Sequence, residues 1–203
     1  MASGGQTQGT LDPRAREVLD FWFGAPGSEE FGRERKIWFH KDATFDALLR
    51  ERFGALLEAA AAGELDSWCA TPEGSLALVI VLDQFSRNCH RGTPRAFSTD
   101  EKALEIARAM VASGADLCLA GLHHRAFAYL PFEHAESAQA QRESLRLFGE
   151  LAKDPDGQDY YDYAVRHAKV IERFGRFPHR NAQLGRACTE DEAAFLREPG
   201  SSF

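Results

Sequence analysis

Hydrophobic residues recur at intervals of three and four along almost the whole chain, and the alternation typical of strands is hard to find. Between residues 42 and 62, for example, Phe45, Leu49 and Phe53 fall on one face of a helix. The pattern predicts an all-α fold of about eight to ten helices in a single domain, residues 12–203, after a disordered tail, residues 1–11.

Capping residues and glycines set the expected helix boundaries. Asp12 with Pro13 begins the first helix and Gly24 ends it, because proline suits the first helical turn and glycine the residue after the last. By the same signals and the apolar spacing we expect further helices at 31–39, 42–62, from 71, at 99–114, in two parts around Pro131 up to 151, at 160–174 and from 189.

The helix that starts at Thr71 differs from the others. Residues 76–82 are apolar all round, which predicts a central helix that is buried on every side. Its end then becomes polar at Asp83, Gln84, Arg87 and Asn88.

Two segments resemble each other: LDQFSRN at residues 82–88 and IERFGRFPHRN at residues 171–181. A connector rich in proline and arginine follows each, and a helix start then comes at Thr99 and at Thr189. The spacing favours two helix–connector–helix units of one kind, although the match covers few positions and chance is the alternative.

Composition narrows the classes of function. The 203 residues are 44% hydrophobic and 27% charged, as in an ordinary globular protein. The net charge of −7 disfavours a general nucleic-acid or anionic-membrane partner. Residues 1–10 lack the features of a signal peptide, and no apolar run is long enough to span a membrane, so we expect a cytoplasmic protein.

Three helices carry polar groups inside otherwise apolar faces. Asp83 and Arg87 are four residues apart and can pair. Glu133 and His134 begin one polar face, and His167 lies in the middle of another. If these faces share a core, the five side chains meet, and Asp83, Glu133, His134 and His167 are the catalytic candidates.

The loop 175–181 adds cationic and titratable groups to this site. Arginine binds carboxylate or phosphate with two parallel hydrogen bonds, so the loop indicates an anion site. The complete candidate binding site is Asp83, Arg87, Asn88, Glu133, His134, Arg176, His179, Arg180 and Asn181.

Each candidate also has a structural interpretation. His167 on an apolar face is more often a core residue with a hydrogen-bond partner, and Asp83 with Arg87 is more often an ion pair that closes a helix. Because lysine is scarce, the alternative interpretation is that arginine is the default cation of this chain. A metal held by Glu133, His134 and His167 has no spacing signature, and the four cysteines form no C-x-x-C pair, so we expect no metal and no cofactor.

Four ordered motifs carry a resemblance to a known family: VLDFWFG at 18–24, LDQFSRN at 82–88, LPFEHAE at 130–136 and RFGRFPHRN at 173–181. The chain resembles the uncharacterised bacterial family called domain of unknown function 924. The resemblance implies a tetratricopeptide-like helical fold and no reaction. Ser86 stands where the family tends to have proline and Ala135 where it tends to have serine, and the latter weakens the idea of a hydroxyl nucleophile beside His134.

Two classes of function follow. The first is a binding module for an anionic small molecule or a peptide carboxylate. The second is an enzyme in which His134 or His167 is the general base, Asp83 or Glu133 orients it, and Arg176 or Arg180 stabilises negative charge. A purely structural polar network is the third interpretation, and the oligomeric state stays open.

Overall fold

The computed structural model describes residues 10–201, and within that range the chain forms eight helices and no strand. The helices are α1 (Pro13–Phe23), α2 (Ala43–Ala61), α3 (72–89), α4 (Asp100–Ser113), α5 (Leu122–His134), α6 (Ala138–Leu151), α7 (Gln158–Phe174) and α8 (Glu190–Phe195). The prediction of an all-α fold is confirmed.

The predicted capping residues begin or end most helices at the expected positions. The Asp12 carboxylate accepts a hydrogen bond from the Arg14 backbone N–H at 2.8 Å. Gly114 ends α4 in the left-handed conformation, at φ 75°. Thr189 and Glu192 form the reciprocal capping box that begins α8. These bonds satisfy backbone groups that a helix end leaves without partners.

Helix α3 is the central helix, as the apolar run predicts. Pro72–Val79 and Ser86–Cys89 are α-helical, and Ile80–Phe85 between them is a π-helical turn. All six residues of that turn are buried. A π-helical turn holds more residues than an α-helical one, so it rotates the following side chains relative to those before it. Asp83 and Gln84 project from this turn.

The main core surrounds α3. Helices α1, α4 and α5 pack against its α-helical part, and α2 packs against its π-helical turn. Trp22, Phe85 and Phe127 are almost fully buried and pack edge to face. The chain after α7 adds a separate small cluster, in which Phe177 is buried with residues of α7.

The predicted helix at 31–39 is wrong. This segment contains a single 3₁₀ turn, Lys36–Trp38. Its side chains instead satisfy the carboxyl end of α1: the Arg35 guanidinium donates to the carbonyls of Phe21 and Trp22, and the Trp38 indole donates to the carbonyl of Trp22 at 2.8 Å. The segment therefore caps a neighbouring helix.

The two similar segments adopt different structures. Residues 82–88 all lie within α3, and Ser86 continues that helix. Gly175, which takes the place of Ser86 in the second segment, instead ends α7, at φ 70°. Thr189 caps its helix, but the Thr99 hydroxyl donates to the carbonyl of Leu82 at 2.5 Å and makes no cap. Both segments thus share the helix–connector–helix order, but their corresponding residues do not have the same structural roles.

Residues 1–9 of the predicted tail lie outside the described residues, and Leu11 packs against the main core. Among residues 10–201, no helix combines the length and apolar character that a membrane crossing requires. The tetratricopeptide-like arrangement implied by the family resemblance stays a prediction.

Candidate functional site

Asp83 is the centre of the polar cluster. Its side chain is 1% exposed, and three donors surround it. Oδ1 lies 2.8 Å from Nδ1 of His134 and 3.0 Å from Nη1 of Arg87, and Oδ2 accepts a hydrogen bond from Nε2 of Gln84 at 2.6 Å. Such a set of donors is what allows a buried carboxylate to stay charged.

The surrounding groups determine the protonation states of Asp83 and His134. Burial alone would raise the pKa of Asp83, but Arg87 and His134 outweigh burial and lower that pKa below its ordinary value. Burial and Arg87 lower the pKa of His134, against the opposing effect of Asp83. The site therefore holds an ionised Asp83 and a neutral imidazole. Because a carboxylate only accepts, Nδ1 of His134 carries the proton and Nε2 keeps its lone pair.

The two similar segments meet at Asp100, the first residue of α4. Arg87 of the first segment donates to both oxygens of this carboxylate, at 2.8 and 2.9 Å. Arg180 of the second segment donates to Oδ2 at 3.2 Å and to the backbone carbonyl of His134 at 2.9 Å. One carboxylate thus links α3, α4 and the segment after α7.

Exposure increases across the cluster. The side chain of Asp83 is nearly sealed, whereas those of His134, Arg87 and Asp100 are 15%, 18% and 20% exposed. His134, Arg87 and Asp100 are therefore the part of the cluster nearest to solvent, and each of them is still mostly buried.

A second carboxyl–imidazole pair lies behind the first. Nδ1 of His167 is 2.9 Å from the carbonyl of Tyr163 and 3.1 Å from Oε1 of Glu133. A carbonyl only accepts, so Nδ1 of His167 is the donor. The rings of His134 and His167 have centroids 6.2 Å apart, which places both histidines at one site.

Glu133 is held in the protonated state at neutral pH. Burial, and then the negative charge of Asp83, raise the pKa of Glu133 to about 8. Burial and His134 lower the pKa of His167 well below its ordinary value. Glu133 and His167 are therefore both uncharged at neutral pH. Oε2 of Glu133 has no hydrogen-bond partner among the described residues.

Arg180 is sandwiched between two aromatic rings. Its guanidinium carbon lies 4.7 Å from the centroid of Phe97 and 4.6 Å from that of Phe177. Burial and the neighbouring Arg87 lower the pKa of Arg180 to about 10, so it stays charged near neutral pH. Burial and Arg180 lower the pKa of His179 to about 4. His179 thus lies close to the cluster as a neutral ring.

Three of the site residues predicted from the sequence bind partners outside the Asp83 cluster. Arg176 donates to both carboxylate oxygens of Glu192, at 2.6 and 2.8 Å, and lowers the pKa of that residue to about 2. Asn181 donates to the same carboxylate. Asn88 donates to Asp46 on α2 at 2.8 Å. None of these three contacts reaches the Asp83–His134 pair.

Sequence reasoning did not identify Asp100, Gln84 or Glu136 as part of the site. Glu136 accepts two hydrogen bonds from Arg186, at 2.6 and 2.9 Å, and one from the backbone N–H of Phe177 at 2.7 Å. The available signal was the excess of arginine in the two segments, which required carboxylate partners. The one-dimensional pattern did not show which carboxylates these were.

Two pockets lie away from the cluster. One, of about 480 Å³, is a groove on the outer faces of α1 and α2, and the other, of about 260 Å³, lies between the start of α3 and the end of α4. Among residues 10–201, no three His, Cys, Asp or Glu side chains group as metal ligands would.

Comparison with known proteins gives a family and a fold. A family model described as bacterial protein of unknown function (DUF924) matches residues 18–200. A solved structure of a protein of unknown function from Agrobacterium tumefaciens is 40% identical, with a TM-score of 0.78 over 91% of this chain and 97% of that chain. None of the curated proteins compared with the chain matches it.

Proposed function

Since the chain belongs to the DUF924 family of bacterial proteins, whose description names no reaction, we propose from the geometry of the site that it is an enzyme with His134 as general base. The observation that carries this proposal is the 2.8 Å contact between Nδ1 of His134 and Oδ1 of the buried Asp83. A carboxylate in this position fixes the tautomer and orientation of the ring and stabilises the imidazolium that forms on proton transfer.

The protonation states support the same role. A general base has to be neutral at the working pH, and the lowered pKa of His134 keeps Nε2 unprotonated. Arg87 contacts the same Asp83 oxygen as His134, and Arg180 donates to the backbone carbonyl of His134, so both bring positive charge to the site where a substrate would lose a proton.

The group that gives its proton to His134 is water or a substrate hydroxyl. Among residues 10–201, no Ser, Thr or Cys side chain donates a hydrogen bond to His134, and the neighbouring position is Ala135. We therefore propose proton abstraction that activates water or the substrate, without a covalent intermediate on a protein hydroxyl.

Binding of an anionic small molecule or peptide carboxylate is the second candidate. The convergence of Arg87 and Arg180 on one carboxylate favours it, because two guanidinium groups at one place attract anions. Asp100 already occupies both groups, however, so a ligand carboxylate or phosphate has to displace it. This competition ranks binding alone below general-base catalysis.

The test compares His134→Asn with the native chain on a panel of para-nitrophenyl esters and phosphates. Asparagine keeps a donor toward Asp83 but removes the base, so we expect a loss of about 10²–10⁴-fold in kcat/KM. His40→Asn, at an exposed histidine, is the matched control and keeps the native rate. Equal rates for the native chain and His134→Asn reject His134 as the base.

A thermal-shift experiment with inorganic phosphate and citrate separates the second candidate. If either anion stabilises the native protein, and Arg180→Gln abolishes the shift while His134→Asn keeps it and no ester is cleaved, the site binds anions without general-base chemistry.

A further inference from the structure

Residues 175–189, which we call the strap, cross over the histidines on their way from α7 to α8. The side chain of Phe177 packs against the His167 ring, with centroids 5.5 Å apart, and Arg180 donates to the backbone carbonyl of His134. The strap therefore covers the two carboxyl–imidazole pairs.

The contacts that hold the strap to the main body are polar. Arg180 binds Asp100, and Arg186 binds Glu136 with two hydrogen bonds. Arg186 and Glu136 are both partly exposed, at 23% and 26%, whereas Arg180 is buried, at 7%, beside an Asp100 that is 20% exposed. The pair of Arg186 with Glu136 therefore breaks at lower cost than a buried contact, because water replaces the lost hydrogen bonds, and it is the contact that opens first.

Among residues 10–201, the strap side chain that joins a hydrophobic cluster is Phe177, near the start of the strap. Phe177 belongs to the small cluster with Val170 and Ile171 of α7, and this cluster is separate from the main core around α3. Opening of the strap thus leaves the main core intact. Segments with few apolar contacts to the core are those that open locally at low free energy.

Two glycines of the strap, one on each side of Arg180, have a left-handed backbone conformation. Gly175 has φ 70° directly after α7, and Gly185 has φ 65° next to Arg186. These residues lack the steric barrier of a side chain and so permit large backbone rotations. The segment between them carries Arg180.

We propose that the strap is a gate: it opens by releasing Arg186 from Glu136 and Arg180 from Asp100, and so exposes His134 and His167 to a ligand. The closed state protects the histidines, and the open state makes Nε2 of His134 accessible. The gate gives a small molecule a route past Phe177 and Arg180 to the two histidines. It deepens the proposed function, but the opening itself needs no catalysis.

The test measures carbethoxylation of each histidine by diethyl pyrocarbonate in the full chain, followed by peptide mass spectrometry. Glu136→Gln keeps the shape of the side chain and removes the charge that holds Arg186, without touching the Asp83–His134 pair. We expect carbethoxylation of His134 and His167 to accelerate about tenfold, which corresponds to about 1.4 kcal/mol. Glu143→Gln, which removes a comparable pair with Arg146 on the surface of α6, is the matched control and leaves both rates unchanged.

Two further histidines identify the cause of any change. His124 is buried in the main core, stacked on Phe23, and stays protected if only the strap opens. His40 is exposed and gives the rate of an accessible ring. Equal acceleration at His124 would show general loss of stability and overturn the gate. So would a native His134 that already reacts as fast as His40, or an unchanged rate in Glu136→Gln.

Arg186→Gln removes the same contact from the strap side and gives the same expected acceleration. If both variants fail to fold, the contact belongs to the fold and the gate is rejected. The labelling needs no substrate, so it is distinct from the turnover test: accelerated labelling with an inert His134 keeps the gate and rejects the general base.

Discussion

Asp83 and Glu133 are two buried carboxyl groups whose environments give them different protonation states: Asp83 is ionised and Glu133 is neutral. Asp83 has Arg87, His134 and Gln84 around it and is ionised. Glu133 has only an imidazole N–H at Oε1, and burial together with the charge of Asp83 keeps it protonated. A pair of carboxyl groups whose pKa values are driven apart is a common arrangement at acid–base sites.

Glu133 predicts a pH dependence of stability. Folded Glu133 keeps its proton up to about pH 8, whereas the unfolded group loses it near its ordinary pKa of 4.5. The folded state therefore binds more protons between these values, and the stability that this group contributes is complete below 4.5 and is lost as the pH rises toward 8. We expect the free energy of unfolding to fall by about 1 kcal/mol per pH unit between pH 6.5 and 8.

Urea denaturation at several pH values checks this expectation. Glu133→Gln has no ionisable group and should remove the slope above pH 6.5. Below pH 6.5 the histidines act in the opposite direction. Burial lowers the pKa of both His124 and His179 to about 4, so the unfolded state takes up protons first and stability falls on acidification. The same slope above pH 6.5 in the native chain and in Glu133→Gln would contradict the assignment of Glu133.

Part of the site was predictable at the residue scale. The four-residue spacing of Asp83 and Arg87 predicts their contact, which the structure contains at 3.0 Å. Asp100 was not predictable as the partner of both arginines. An acidic residue in the first turn of a helix is expected for the helix dipole alone, so its identity gives no sign of two contacts from distant parts of the chain.

At the scale of elements, α3 illustrates what the hydrophobic pattern contains and what it omits. An apolar run predicts burial whether its turns are α-helical or π-helical. The π-helical turn Ile80–Phe85 therefore leaves no separate trace in the pattern, although it determines where Asp83 and Gln84 project. The missed segment at 31–39 has a similar cause, since the bonds of Arg35 to α1 outweigh its local helical pattern.

The start of α3 gives a prediction about packing. A Cβ atom added to Gly74 would lie 2.2 Å from the carbonyl oxygen of Trp68 and 2.8 Å from the hydroxyl of Thr71. The 3₁₀ turn before α3 would have to move, so we expect Gly74→Ala to lower the free energy of unfolding by about 1–3 kcal/mol.

Gly54→Ala is the matched control inside α2. Its added Cβ would meet only Arg50, at 3.9 Å, and alanine favours a helix over glycine by about 0.5–1 kcal/mol. Thermal unfolding should therefore give a lower midpoint for Gly74→Ala and a higher one for Gly54→Ala. A pair of variants that shift in the same direction would contradict the contact with Trp68.

At the scale of the whole molecule, the protein combines an apolar core around α3 with a strap held by ion pairs. Periodicity predicts the core, because helical faces require a common interior. It does not predict the strap, since residues 175–181 look like an open basic loop for a ligand. Arg176, Arg180 and Arg186 instead bind Glu192, Asp100 and Glu136 of the same chain.

Ionic strength should separate these two parts. The Debye length falls from about 10 Å at 0.1 M salt to about 3 Å at 1 M, which weakens the partly exposed pair of Arg186 with Glu136. We expect amide hydrogen exchange in residues 175–189 to accelerate at 1 M sodium chloride. Exchange in 72–89, inside the apolar core, should change little. Equal acceleration of both ranges would show that the strap and the core open together.

The long separation of Asp100 and Arg180, 80 positions apart, also has a consequence for synthesis on the ribosome. Helices α1 to α7 precede the strap, so the nascent chain can bury its apolar faces while Asp100 is paired with Arg87 alone and Glu136 still lacks Arg186. During that interval the two histidines have no cover. A transcript truncated before residue 175 would therefore yield a chain with its core sequence intact, with Asp100 still bound to Arg87 and with Glu136 lacking Arg186.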